Sequence, residues 1–390
     1  MMDQGSLITD TAQLTAFCDE LAEASFVTVD TEFIREHTYR AQLCLVQLAG
    51  PERALCVDPL AEGLDLAPLL SLMANKRVLK VFHAARQDIE IFYTMTGVVP
   101  EPLFDTQIAA MVCGFGDAIS YENLVRTFEG IAIDKSMRVT DWAQRPLSPQ
   151  QIHYALSDVV HLRSVYEKLA VRLEETQRAS WLSEEMATLT SPDLYRMDPA
   201  EAWKRIRIKK GTPRLLCIVR ELAAWREEEA QQRNVPRQRV LRDEVLLDVA
   251  TRTPKTEAQL GQVRSLPRGY IGGCAGQAIL EAVAAGKAAP CEYQSKSSLQ
   301  KSLPKGAGHI IDLLRILLKV RGEEHGVAPK LIASSEDLEK LALDDAADIA
   351  ALTGWRRSIF GEDALALKRG ELAFRLAKKG RRVEIFPPST

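Results

Sequence analysis

The sequence predicts an α/β domain with a mixed sheet, followed by all-α helical modules. Three observations predict it. Period-two, β-branched runs near the start give way to strands alternating with helices; strand signals stop near residue 195; and a helical stretch recurs at a constant offset of 95 residues.

Taking the elements in order, Phe26, Thr28, Asp30 and Glu32 alternate with Val27, Val29, Thr31 and Phe33, which is the period of a strand. Residues 43–49 and 54–57 repeat that character around a Gly50-Pro51 turn, so three strands with short connections form a meander. Residues 78–82 are a further apolar run, after which Asp88, Ile89, Ile91, Phe92 and Met95 fall at helical spacing up to Gly97. Helices are expected over 106–112, capped by Asp105, over 121–128, and from Ser148-Pro149, a capped start with proline at the first position. This domain is expected to end between Thr190 and Asp193, with 191–199 as a linker. Beyond it, 213–230, 240–251 and 277–285 read as helices.

Residues 216–226 align with 311–321, and each copy runs into a Val-Pro or Val-Ala-Pro turn, at Val235-Pro236 and at Val327 to Pro329. Two similar helical modules are implied. Between them, 287–305 is rich in Ser, Lys, Pro and Gln and suits a loop. The expected bounds are 1–193 for the α/β domain, 194–290 for the first module and 291–390 for the second.

With 390 residues and 46% hydrophobic content, the chain has room for more than one core. Its seven cysteines include no Cys-x-x-Cys pair, and Cys44 and Cys56 lie in apolar runs, which reads as buried thiols in a reducing compartment. The N-terminus lacks the basic-then-apolar order of a signal peptide and no stretch approaches a membrane span, so a cytoplasmic protein without membrane contact is expected. A net charge of −3 conceals an asymmetry: residues 1–195 carry 15 basic and 28 acidic side chains, the remainder 35 and 25. One part is suited to cations and the other to a polyanion.

Asp30 and Glu32, two apart on a strand, share one face, and two anions about 6–7 Å apart repel unless a cation lies between them. Paired acids at an exposed strand end explain that pattern equally. Asp88 opens a helix, where capping alone accounts for an acid. Tyr154 and Asp158 lie one helical turn apart on one face, a common surface pairing. Together, however, the four acids match what phosphodiester hydrolysis with two oxygen-bound cations, Mg²⁺ or Mn²⁺, requires.

In their order and spacing, Asp30-x-Glu32, His83-x-x-x-x-Asp88 and Tyr154-x-x-x-Asp158 resemble the three exonuclease motifs of the DEDD superfamily, tyrosine subtype. The stretches around Phe104 to Gln107 and Asp134 to Leu147 resemble the ribonuclease D family, and the helical repeats resemble HRDC modules, the first more clearly than the second. The resemblance implies a ribonuclease-H-like fold for the α/β domain, with two HRDC-like domains after it. It further implies Asp30, Glu32, Asp88 and Asp158 as metal ligands, Tyr154 as the residue that orients, or helps deprotonate, the attacking water, with geometry its chief expected part, and 3′→5′ hydrolysis of RNA to nucleoside 5′-monophosphates. Implied substrates are transfer RNA precursors with 3′ extensions, with no obligatory protein partner.

Thr31 and Phe33 are candidate contacts to the terminal nucleotide. Lys135 and Arg138, with Arg145, are candidate phosphate contacts. His83 is expected to pack at a strand end, Asp105, Asp134 and Asp141 to cap or turn, and Trp142 to serve either as a core anchor or as a stacking surface. Basic runs at 204–210 and 378–382 could track an RNA backbone or simply solubilise a helix face. No Gly-x-x-x-x-Gly-Lys-Ser/Thr loop, His-Glu-x-x-His motif or Gly-x-Ser-x-Gly elbow is present, which disfavours ATPase, zinc protease and hydrolase-elbow chemistry. Two alternatives stay open at this level: a 3′→5′ DNA exonuclease, since the motifs read no 2′-hydroxyl, and an RNA-binding scaffold with a decayed site. Truncation after about Ser191 is expected to weaken RNA binding more than the chemical step.

Overall fold

A computed structural model describes residues 6–208, 211–289, 304, 306–377 and 382–388. They form two compact units, one of residues 1–32, 44–194 and 303–390, the other of residues 33–43 and 195–302.

The first unit holds a six-stranded sheet of β1 (Leu7–Ile8), β2 (Phe26–Ile34), β3 (Gln42–Ala49), β4 (Ala54–Val57), β5 (Leu79–Phe82) and β6 (Leu103–Asp105), in the order β1-β4-β3-β2-β5-β6. β3 and β4 are antiparallel, whereas β2 with β5, β5 with β6 and β1 with β4 are parallel. The sheet is therefore mixed, and β2, β3 and β4 form the expected meander. β3 is buried along all but its first residue, which is why it reads as an apolar run and not as an alternation.

Around this sheet lie α1 (Thr11–Ala22), α2 (Ala67–Ala74), α3 (Arg86–Thr96), α4 (Thr106–Val112), α5 (Tyr121–Glu129), α6 (Pro149–Glu175) and α7 (Ala179–Leu189). Gly97 closes α3 in the left-handed conformation, φ 72°, which only glycine adopts without cost. The 27-residue α6 begins with a capping box: Ser148 accepts from the Gln151 amide and the Gln151 side chain accepts from the Ser148 amide. Its buried residues Ala155, Val159, Leu162, Val165, Leu169 and Leu173 recur every three or four positions and form one apolar face.

In the second unit, α8 (Pro213–Arg233), α9 (Arg237–Val240), α10 (Asp243–Arg252), α11 (Glu257–Leu260) and α12 (Gly273–Ala288) enclose a core that includes Val219, Leu222, Leu246, Val249, Ile279 and Val283. α12 approaches α8 so closely that a Cβ at Gly286 would lie 2.5 Å from the Ile218 Cα. The segment 33–43, which sequence alone assigns to the α/β domain, folds with this unit. Tyr39 packs against the helical core and donates to the buried Glu227, which also takes a bidentate pair of bonds from Arg237.

The rest of the first unit is C-terminal: α13 (Ala307–His325), α14 (Pro329–Ile332), α15 (Ser335–Leu343), a helical stretch at 354–361, and α16 (Glu362–Lys368). The expectation of a wholly helical C-terminal part needs correction, because β7 (Ala373–Leu376) and β8 (Val383–Phe386) form an antiparallel pair. Long helix, four-residue helix and medium helix follow one another in α8–α10 and again in α13–α15, the structural form of the sequence repeat. This segment packs on the α/β domain: Trp181 and Trp355 stack at 4.4 Å and 7°, Arg178 donates to the Val112 and Gly326 carbonyls, and Arg356 reaches Glu184 and Glu185. Most of the proposed 287–305 loop, and Lys209, Lys210, Lys378, Lys379 and Arg381 of the basic runs, lie outside the described residues. Among those described, no helix is long and apolar enough to cross a membrane.

Candidate active site

β2 presents Asp30 and Glu32 from the middle of the sheet. Against it lies α6, placed by hydrogen bonds on either side of Asp158: Thr28 of β2 donates to the Val159 carbonyl at 2.8 Å, and the Tyr121 hydroxyl donates to the Ser157 carbonyl at 2.9 Å. Carboxylate oxygens of Asp30, Glu32 and Asp158 consequently lie within 4.8 Å of one another.

Asp88 stands just outside that tight trio, in the first turn of α3, 7% exposed, and accepts from the Thr31 hydroxyl. The turn leading into α3 is strained: Ala84 has φ 58°, a region that non-glycine residues seldom occupy. Asp105 holds it there, accepting from the Ala84 and Ala85 amides at 3.1 and 2.8 Å while capping α4 through Gln107 and Ile108. Asp105 is thus structural, as the sequence suggests, and it sets the position of Asp88.

Burial pushes the Asp30 carboxyl well above the usual range, and the charges of Asp158, Asp88 and Glu32 push it further. Glu32 rises to about 8, through burial and then through Asp158 and Asp88. Asp88 rises to about 7 through burial, opposed by the Thr31 hydroxyl. Asp158 rises to about 7 through burial and the nearby Glu122, tempered by a hydrogen bond from Tyr154. Among the described residues no Lys or Arg forms an ion pair with any of the four. Clustered carboxylates without a counter-charge are costly unless a cation neutralises them, and an all-oxygen donor set suits a hard divalent ion.

Tyr154, one turn before Asp158, has its phenol pushed up by burial and by Asp158, Glu32 and Asp30, so it keeps its proton at neutral pH. Beside it lies a cavity of about 350 Å³, lined by Tyr154, His153, Ser157 and His161 of α6 and by Asp134 and Ser136 of the preceding loop.

The remaining candidates fall in different places. Thr31 is 5% exposed and supports Asp88. Phe33 is half-buried near the end of β2. Lys135 is exposed and pairs with Glu122 at 3.1 Å, and Arg138 is exposed on the same loop. Arg145 is committed elsewhere, forked onto Asp58 at 2.7 and 2.6 Å and donating to the Cys44 and Trp142 carbonyls. It braces the loop against the sheet. Trp142 is a core anchor, 3% exposed, its ring 6.1 Å from that of Tyr154. His83 packs at the end of β5, bonded to Thr106 at 2.9 Å. Sequence reasoning missed Thr28, Tyr121 and Glu122; Thr28 shares the face of Asp30 two residues on, but nothing local marks the other two.

A mixed sheet crossed by a long helix, with acids of a strand and of that helix meeting and an acid from a helix start beside them, has the form of a metal-dependent nuclease. The 3′-5′ exonuclease family matches residues 6–174, and the HRDC domain family matches 216–283. Ribonuclease D of Nitrobacter hamburgensis is 49% identical over 97% of this chain and 99% of its own length, and that of Jannaschia sp. is 50% identical over 97% and 98%. The crystal structure of Escherichia coli RNase D, described as an exoribonuclease involved in structured RNA processing, superposes with a TM-score of 0.79 at 27% identity, covering 95% of this chain and 99% of that one. The chain belongs to the ribonuclease D family. It is a metal-dependent 3′→5′ exoribonuclease.

Proposed function

We propose that Asp30, Glu32, Asp88 and Asp158 hold two divalent cations, Mg²⁺ or Mn²⁺, and that the enzyme releases nucleoside 5′-monophosphates singly from RNA 3′ ends. The observation that carries this reading is the convergence of three carboxylate oxygens within 4.8 Å, with a fourth carboxylate beside them and, among the described residues, no Lys or Arg paired with any of them. Bound there, the cations supply activation of water and stabilisation of the leaving 3′ oxygen. In the hydrolysis, water oxygen bonds to phosphorus, the bond from phosphorus to the 3′ oxygen breaks, and the freed 3′ oxygen takes a proton.

The residues divide the remaining work. The Tyr154 phenol, its pKa raised by burial and by the neighbouring carboxylates, orients the attacking water. Lys135 and Arg138 meet phosphate oxygens near the 3′ end, and Thr31 and Phe33 border the terminal nucleotide. We assign residues 1–193 to the exonuclease domain, 194–290 to an HRDC domain and 291–390 to an HRDC-like domain, the last supported by its repeated helix order. The helical parts gather RNA by charge, as the basic excess after residue 195 suggests.

Physiological substrates on this reading are structured RNAs with 3′ extensions, transfer RNA precursors above all, in a reducing cytoplasm that suits the buried thiols of Cys18, Cys44, Cys56, Cys113 and Cys217. The test is a time course on a 5′-labelled, 3′-extended transfer RNA with Mg²⁺, Mn²⁺ or chelator. Stepwise shortening to the mature end, abolished by chelator, is expected. Internal cuts, or equal rates on the matching DNA, would contradict it.

A further inference from the structure

Glu122 has no part in the oxygen cluster, yet it sits close enough for its charge to reach Asp158 and Tyr154. Another anion beside four carboxylates is unfavourable by itself. Although burial pushes the Glu122 carboxyl up, hydrogen bonds from Ser120 and its own amide, and then Lys135, hold it below the usual range, so it is ionised. Its place is specified: it lies in the first turn of α5, where the helix dipole favours an acid, and the adjacent Tyr121 ties α5 to the Ser157 carbonyl, one residue before Asp158.

Its partner Lys135 is equally placed. Asp134 accepts from the Ser136 amide and hydroxyl, both at 2.9 Å, and the Arg138 amide donates to the Lys135 carbonyl at 3.1 Å, forming a turn with Lys135 inside it. Asp134 and Ser136, on either side of Lys135, line the cavity beside Tyr154. The Lys135 side chain is 52% exposed, so solvent screens its pair with Glu122 and the pair adds little to stability. An ammonium has three donors, and one bond to Glu122 leaves others for a phosphate.

We propose that Glu122 is a positioning residue, which holds the Lys135 ammonium on the Asp158 and Tyr154 side of the carboxylate cluster so that it meets a substrate phosphate. The inference rests on the exoribonuclease reading above and adds a residue that the motifs do not contain. A flexible lysine must be ordered before it can bind a phosphate, and the carboxylate does that in advance.

The experiment is a double-mutant cycle of Glu122→Gln and Lys135→Met, assayed with Mn²⁺ on a five-nucleotide RNA. Each single variant is expected to raise KM about fivefold to tenfold with kcat within about twofold, and the double variant to be no worse than Lys135→Met alone. The Ki of a nucleoside 5′-monophosphate product should rise in parallel, with thermal midpoints unchanged. Lys135→Arg should restore most of the affinity. An unchanged KM in Glu122→Gln, or KM effects that multiply in the double variant, would overturn the proposal. Wild-type protein inactive on the same RNA would instead overturn the exoribonuclease reading.

Discussion

At the scale of single residues, the site is a cluster of four carboxyl groups whose behaviour follows from their closeness and burial. Asp30 faces three other carboxylates, so Asp30→Asn removes a proposed ligand and part of the charge that would attract a cation. The expected loss is roughly 10³-fold in kcat, with weakened Mn²⁺ binding and an unaltered fold by circular dichroism. Thr31→Val deletes the hydroxyl that fixes Asp88 and should lower Mn²⁺ affinity by about tenfold to a hundredfold in titration calorimetry. The raised carboxyl pKa values also have a definite sign. Glu32, Asp88 and Asp158 bind protons more tightly folded than unfolded, so their contribution to metal-free stability is fully present below about pH 4 and is lost as pH rises through 7 to 8. Cations compete with those protons. The rise in thermal midpoint on adding Mn²⁺ should therefore be larger at pH 8 than at pH 6, and an equal rise at both would contradict the assignment.

At the scale of elements, legibility followed the strength of local signals. The limits of β4 and α4 agree with the sequence to the residue because each begins at a turn or a cap, and Ser148 marks the start of α6 by its side chain. β1 and β6 went unread because two or three residues cannot display a period. α1 carries a helical pattern in sequence, with Leu14, Phe17, Cys18 and Leu21 buried on one face, although it is absent from the elements expected above. The four acids were legible as a set because their order and spacing are distinctive. That Arg145 serves Asp58 and not a phosphate was not, since the pairing spans 87 residues and no periodicity reports it. An element-scale prediction concerns Glu227, which is 1% exposed and bonded to Arg237 and Tyr39. Arg237→Met leaves that carboxylate buried without its cation and should cost about 3–5 kcal/mol in urea unfolding. A cost below about 1 kcal/mol would show that water reaches Glu227.

At the scale of the whole molecule, the chain order and the compact units differ. The first unit contains both the α/β domain and residues 303–390, and the second contains the residues between them together with 33–43. This revises the truncation expected from sequence. Ending the chain after Ser191 would remove not only cationic surface but also Trp355 from Trp181 and Arg356 from Glu184 and Glu185. Such a truncation should lower both thermal stability and kcat, whereas charge reversals on the helical surface should weaken RNA binding and flatten its salt dependence alone. On the proposed reading, acids distant in sequence meet to bind catalytic cations. Anomalous diffraction from crystals soaked in Mn²⁺ tests it most directly. Manganese peaks in contact with Asp30, Glu32 and Asp158 and absent from Asp30→Asn crystals are predicted; a wild-type map empty at that point, from protein that still degrades RNA, would contradict the account.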